Sequence, residues 1–92
     1  MKTTRATALA LLFTALSAQA QTYPAKPIKI VVGFAPGGGS DFAARVIAQQ
    51  LTERMKNQVI VENKPGAGSL IGAEYVIKSA PDGYTLLLTP AS

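Results

Sequence analysis

Apolar residues fill the run Ile28-Lys29-Ile30-Val31-Val32-Gly33-Phe34 without alternating from Ile30 onward. That pattern predicts a strand covered on both faces, as in a parallel sheet. Pro24 and Pro27 precede it, so they hold the approach extended and remove no donor from the strand's interior. The period then changes. Ala43, Ile47, Leu51 and Met55 recur every four residues, with Ala44, Val46 and Ala48 widening the stripe. Arg45, Gln49, Thr52, Glu53 and Lys56 fall largely on the other side, which predicts a helix over 41–56 with one face on a sheet. Val59-Ile60-Val61-Glu62-Asn63 reads as a short, β-branched second strand. A second helix is expected over 70–79, burying Ala73, Val76 and Ile77, and a third strand over 84–89. Between them, Ala80-Pro81-Asp82-Gly83 fits a type I turn.

The order is βαβαβ, with crossovers long enough to join parallel strands. Right-handed crossovers put the C-terminal ends of all three strands on one edge. The segments 34–41, 63–69 and 89–92 therefore open on the same side. If strand one lies between strands two and three, the first of these loops sits where the strand order reverses, the usual ligand position in open α/β sheets.

That first loop, Phe34-Ala35-Pro36-Gly37-Gly38-Gly39-Ser40-Asp41, holds three consecutive glycines. They strip it of side chains and leave peptide N–H groups beside a helix start, an arrangement suited to an anion. A ligand-free tight turn needs one or two glycines, not three. Ser40 is expected to cap the helix, and Asp41 suits the positive end of its dipole. Asp41 could equally meet a cationic group on a ligand. The second loop, Gly66-Ala67-Gly68-Ser69, repeats the chemistry, with Ser69 expected as the next cap. Gly72 weakens its helix by about 1 kcal/mol against alanine, so it serves close packing or ligand approach. Phe34 and Tyr75 read as core or cleft wall, and Glu53 and Arg54 as a solvated face.

Composition adjusts this picture at the N-terminus. Lys2 and Arg5, the apolar run 6–16 and Ala18-Gln19-Ala20 occur in the order of a secretory signal peptide. Residues 1–20 are expected to be removed by cleavage after Ala20, leaving 21–92. The run is too short for a permanent membrane anchor. Removing Lys2 and Arg5 turns the net charge of +4 into seven basic against five acidic residues, a balance of +2. The remaining basic residues are dispersed, which argues against nucleic-acid binding. The chain has no cysteine, hence no disulfide and no lipoprotein anchor, and no histidine, the commonest general base. About 70 residues without a staple form a marginal core. The chain is therefore expected to be the truncated beginning of a larger exported protein. The competing expectation, a 92-residue piece that acts as a whole, requires it to fold alone.

Catalytic readings fail letter by letter. Phe42 stands where a dinucleotide fingerprint needs its third glycine, and Asp41 would repel a pyrophosphate. Neither loop ends in the Gly-Lys-Ser/Thr of a phosphate-binding loop. Gly38-Gly39-Ser40-Asp41-Phe42 lacks the last glycine of a nucleophile elbow, and no histidine is present to activate Ser40. No catalytic residue, metal ligand or cofactor is assigned. An exported α/β enzyme of the hydrolase kind remains the alternative, with its catalytic groups beyond Ser92.

Four blocks in order resemble the Bug family, the periplasmic solute-binding proteins of tripartite tricarboxylate transporters. They are Tyr23-Pro24-x-Lys26-Pro27-Ile28, Val32-Gly33-Phe34-Ala35-Pro36-Gly37-Gly38-Gly39-Ser40-Asp41, Val61-Glu62-Asn63-Lys64-Pro65-Gly66-Ala67-Gly68 and Ala80-Pro81-Asp82-Gly83-Tyr84-Thr85-Leu86. The resemblance implies a two-lobed Venus-flytrap fold of the periplasmic-binding-protein type (type II-like), with 21–92 as the first part of lobe one. It also implies a periplasmic, non-enzymatic receptor that delivers a small carboxylate to the membrane components of such a transporter. The di- and tricarboxylates, amino acids and aromatic acids are its expected ligands. Carried over by motif, the binding residues are Phe34, Ala35, Gly38, Gly39, Ser40 and Asp41, then Gly66, Ala67, Gly68 and Ser69. Thr89 and Ser92 join them where the third loop begins.

Overall fold

The computed structural model describes residues 22–90 and Thr7. Thr7 apart, the expected signal peptide, with its cleavage point, lies outside the described residues, as does Ser92. Three strands, β1 (Ile28–Val32), β2 (Val59–Asn63) and β3 (Thr85–Leu88), form a parallel sheet in the order β2-β1-β3. The connections are α1 (Gly39–Met55) and, after a 3-10 turn at Ala67–Ser69, α2 (Leu70–Lys78). The α/β reading, the strand count and the central position of β1 all hold.

Strand alternation sorts the core into two layers. Ile28, Ile30 and Val32 project toward α1 and pack with Ala44, Ala48 and Val59. Lys29 projects to the opposite face, where α2 brings Tyr75 within 3.1 Å of its Nζ. Val31 and Val32 are fully buried, which accounts for the unbroken apolar run.

Several boundaries and faces differ from expectation. β1 ends at Val32 instead of Phe34: the Lys64 N–H to Val32 O bond at 2.8 Å is the last of its pairing with β2, and Gly33 then turns against Ser69 of the second loop. α1 starts two residues early, at Gly39. Gly38 is its N-cap, and the first rung is Phe42 N–H to Gly38 O at 3.0 Å. Ser40 thus sits inside the first turn and caps nothing. On α1 the buried residues include Ala44 and Ala48, whereas Ala43, Val46 and Ile47 are exposed. On α2, Ile77 is 80% exposed, not buried, and Gly72 forms the buried contact instead. A Cβ built on Gly72 would lie 3.0 Å from Gly33 Cα and 3.2 Å from Lys64 O, so α2 meets the end of β1 backbone to backbone.

The opposite edge of the sheet is tied by the N-terminal segment. Tyr23 Oη donates to Gly83 O at 2.6 Å, and Tyr84 Oη accepts from Ala25 N–H at 2.7 Å. The two tyrosine rings lie 5.0 Å apart. Two of the sequence blocks, 23–28 and 80–86, thus pack on one another.

Candidate functional site

Register makes the C-terminal edge flush. Val32 pairs with Asn63 on one side and with Leu88 on the other, so the chain leaves all three strands at one level. The three loops open from there.

Loop 1 is closed by a side-chain network that periodicity did not reveal. Asp41, only 6% exposed, accepts the Gly37 N–H at 3.0 Å, Arg45 Nε at 3.1 Å on both oxygens and Asn63 Nδ2 at 3.1 Å. Asn63 also donates to Phe34 O at 3.1 Å, while its Oδ1 accepts from Arg45 Nη2 at 3.3 Å. The end of β2, the loop after β1 and the second turn of α1 are thereby fastened together. The Gly37 N–H, then Arg45 and Asn63, hold the Asp41 carboxyl below its ordinary pKa. The Asp41–Arg45 pair is an i,i+4 spacing visible in the sequence. Asn63 could be found only once the β1–β2 register was known.

The rest of the loop is bare. Gly37 needs its missing side chain, because φ is +97° there. Gly38 and Gly39 do not: neither has positive φ, and a Cβ would meet nothing closer than 4.0 Å at Gly38 and nothing within 4 Å at Gly39. The N–H groups of Gly39, Ser40 and Asp41 precede the first rung of α1, at the positive end of its dipole. Phe34, 38% exposed, and Phe42, 72% exposed, leave apolar surface at the start of the loop and in the first turn of α1.

Loop 2 is not the second plain helix start that was expected. Gly66, Ala67, Gly68 and Ser69 have φ of 129°, 50°, 61° and 78°, a left-handed turn closed by Leu70 N–H to Ala67 O. For Ala67 and Ser69 this conformation costs about 1–2 kcal/mol each. Ser69 stands at the N-cap position of α2 but makes no capping bond. Its side chain instead fills the space where a Gly33 Cβ would lie, 2.8 Å from its own Cβ. This contact presses loop 2 onto loop 1, and sequence reasoning missed Gly33 as the cause.

The structure thus brings the predicted residues 34–41 and 66–69 together on one edge. Thr89 shares the edge but lines a separate apolar groove with Ile30, Ile47, Leu51 and Leu86. An open groove of about 550 Å³ follows the outer edge of β2 beside α1, lined by Ala48, Gln49, Thr52, Val59, Ile60 and Val61 and by no residue of either loop. On the α2 face, Glu62 pairs with Lys29 at 2.9 Å and Lys64 at 3.2 Å, and Lys64 lies 4.5 Å from the centre of the Tyr75 ring. Tyr75 is therefore clasped by lysines, not buried in core. The Lys29 and Lys64 contacts hold Glu62 below its ordinary pKa, and Glu62, then Tyr75, raises that of Lys29. Among the described residues no cluster of three or more His, Cys, Asp or Glu side chains could hold a metal, and no helix is long and apolar enough to cross a membrane.

Residues 43–92 match the tripartite tricarboxylate transporter family receptors. The chain belongs to that family. BugT of Bordetella pertussis is 51% identical over 73 residues, which cover 79% of this chain and 22% of BugT. Among solved structures, the periplasmic binding protein BugD superposes with a TM-score of 0.68 at 45% identity, covering 71% of this chain and 22% of that one. An R. palustris protein solved with adipate gives 0.70 at 36% identity, covering 72% of this chain and 22% of its own. MatC from Rhodopseudomonas palustris, solved with bound malate, gives 0.67 at 37% identity, with 71% and 22% covered. The chain spans 21% to 26% of the length of the curated relatives it matches. These findings fit the expected Bug-family fold of a solute-binding receptor.

Proposed function

We propose that this receptor captures a small carboxylate at the edge formed by loops 1 and 2. The observation that carries the reading is the bare backbone at Gly38 and Gly39. Neither φ nor internal packing requires glycine at these positions, yet both lie beside the unladdered N–H groups of α1. A ligand oxygen that must approach peptide nitrogen closely supplies the missing reason. Hydrogen bonds to a charged acceptor contribute about 1.5–3 kcal/mol each, so a few suffice for useful affinity. In this reading Gly39, Ser40 and Asp41 donate through their backbone and Gly66, Ala67, Gly68 and Ser69 form the facing wall. Phe34 and Ala35 form the rim, and Thr89 stands on the same edge of the sheet, just past the end of β3.

The adipate-bound and malate-bound neighbours support a dicarboxylate among the ligands. Residues 1–20 act as the export signal, the receptor works in the periplasm, and transporter membrane subunits take the ligand from it. No covalent step is involved. The family and its neighbours give the hydrolase alternative no support.

Isothermal titration of the full-length protein against adipate, malate and their neutral diamides tests the reading. The acids are expected to bind at least tenfold more tightly than the diamides, a difference of about 1.4 kcal/mol. Tight binding of a neutral solute with no response to any carboxylate would sink it.

A further inference from the structure

Asp41 places a negative charge in the same helical turn as the N–H groups of Gly39 and Ser40. A carboxylate ligand held there would meet that charge, and like charges at short range oppose binding. The basic group paired with Asp41 among the described residues is Arg45, whose Nε lies 3.1 Å from each carboxylate oxygen. Lys29 and Lys64, the basic groups near the neighbouring strand ends, are spent on Glu62. The loop's own closure does not depend on Arg45. Gly37 to Asp41, Asn63 to Asp41 and Asn63 to Phe34 are three bonds that remain without it.

We infer that Arg45 is a positioning residue for anion capture, acting through Asp41 by cancelling its charge and not by touching the ligand. The geometry fits that indirect role. Arg45 starts one turn farther along α1 than Asp41, and its Nη2 turns to Asn63 Oδ1 at the end of β2, not past the helix N-terminus. Asp41 is needed to pin Gly37, but its charge obstructs an anion. Arg45 lets the protein keep the first effect without the second. The inference rests on the carboxylate reading above.

The test is a double-mutant cycle in the full-length protein, with adipate and malate as probes: wild type, Arg45→Met, Asp41→Asn and the double variant. Arg45→Met should weaken binding on the order of tenfold at low salt, with the deficit shrinking as ionic strength rises. Adding Asp41→Asn to it should recover part of the affinity, since the single asparagine oxygen can still accept from Gly37 without the charge, while Asn63 Nδ2 gives up its acceptor there. Amide exchange at Gly37 should stay slow in Arg45→Met, showing that the loop is closed. A double variant no better than Arg45→Met, or an Arg45→Met protein that binds like wild type, overturns the inference while leaving the carboxylate reading standing. A wild type that binds neither acid overturns both.

Discussion

Alanine at Gly33 is expected to destabilise the protein by about 1–3 kcal/mol and to weaken ligand binding with it. The backbone at Gly33 is not in the left-handed region, so alanine adopts it without strain of its own. The cost comes from space. The new Cβ would fall 2.8 Å from Ser69 Cβ and 3.0 Å from Ser69 Cα. Ser69 cannot give way easily, because it is held at φ 78° within four successive positive-φ residues. On the same side, α2 approaches through Gly72, leaving little room to slide. The two loops must therefore part, and the donors they present part with them. Denaturant unfolding of the full-length protein should show a lower midpoint with an unchanged slope. Adding Ser69→Gly should restore part of the loss, since Oγ and Cβ disappear while the 3.0 Å approach to Cα stays. A Gly33→Ala protein as stable as wild type would remove the packing argument.

Acid is expected to weaken the fold through the two carboxylates that tie the strand ends. Asp41 is held below its ordinary pKa chiefly by the Gly37 N–H, and Glu62 chiefly by Lys29. The unfolded chain therefore binds more protons than the folded one from the ordinary carboxylate pKa values down to the depressed folded ones, so stability rises with pH across that window. Their contribution is complete above about pH 5 and is lost as pH falls through the depressed folded values. Lys29 runs the other way: its raised pKa contributes fully below about pH 10 and fades as pH climbs through the folded value. These three groups give a plateau between those limits. Asp41→Asn should flatten the acid limb, and Glu62→Gln should flatten both limbs, since it removes one carboxylate and the main partner of Lys29. Unfolding midpoints from pH 3 to pH 11 check this. An acid limb unchanged in both variants would show that other carboxylates control it.

Much of the fold could be read from the residues because local signals and packing agree. Val59–Asn63 is a β-branched run bounded by polar residues, and the strand has the predicted limits. Periodicity placed α1 on the sheet but could not say which apolar positions would be covered. Ala44 and Ala48 are buried and Ile47 is not, because the close approach of α1 to β1 is set by small side chains. Thr52 shows the same limit. Placed on the polar side, it instead donates to Ala48 O at 2.7 Å and accepts the Val59 N–H at 3.1 Å, linking α1 to the start of β2.

At the candidate site the glycine loops were legible, and their internal chemistry was less so. Serine in a helix-start context suggested two caps, but Gly38 takes the first cap position and the left-handed backbone turns Ser69 toward Gly33. Asp41 read as a dipole partner or a ligand contact, whereas its carboxylate is committed to Gly37, Arg45 and Asn63. Those contacts follow from strand register, a long-range fact that no local pattern contains.

The central claim is that bare backbone at the two loops holds a carboxylate. It is tested most directly by following backbone amide resonances of the full-length protein during titration with malate or adipate. The N–H signals of Gly39, Ser40 and Asp41 should move downfield and saturate together with those of 66–69, and the neutral diamide should leave them in place. Saturable binding that leaves both sets unmoved, or moves them equally with acid and diamide, would contradict it.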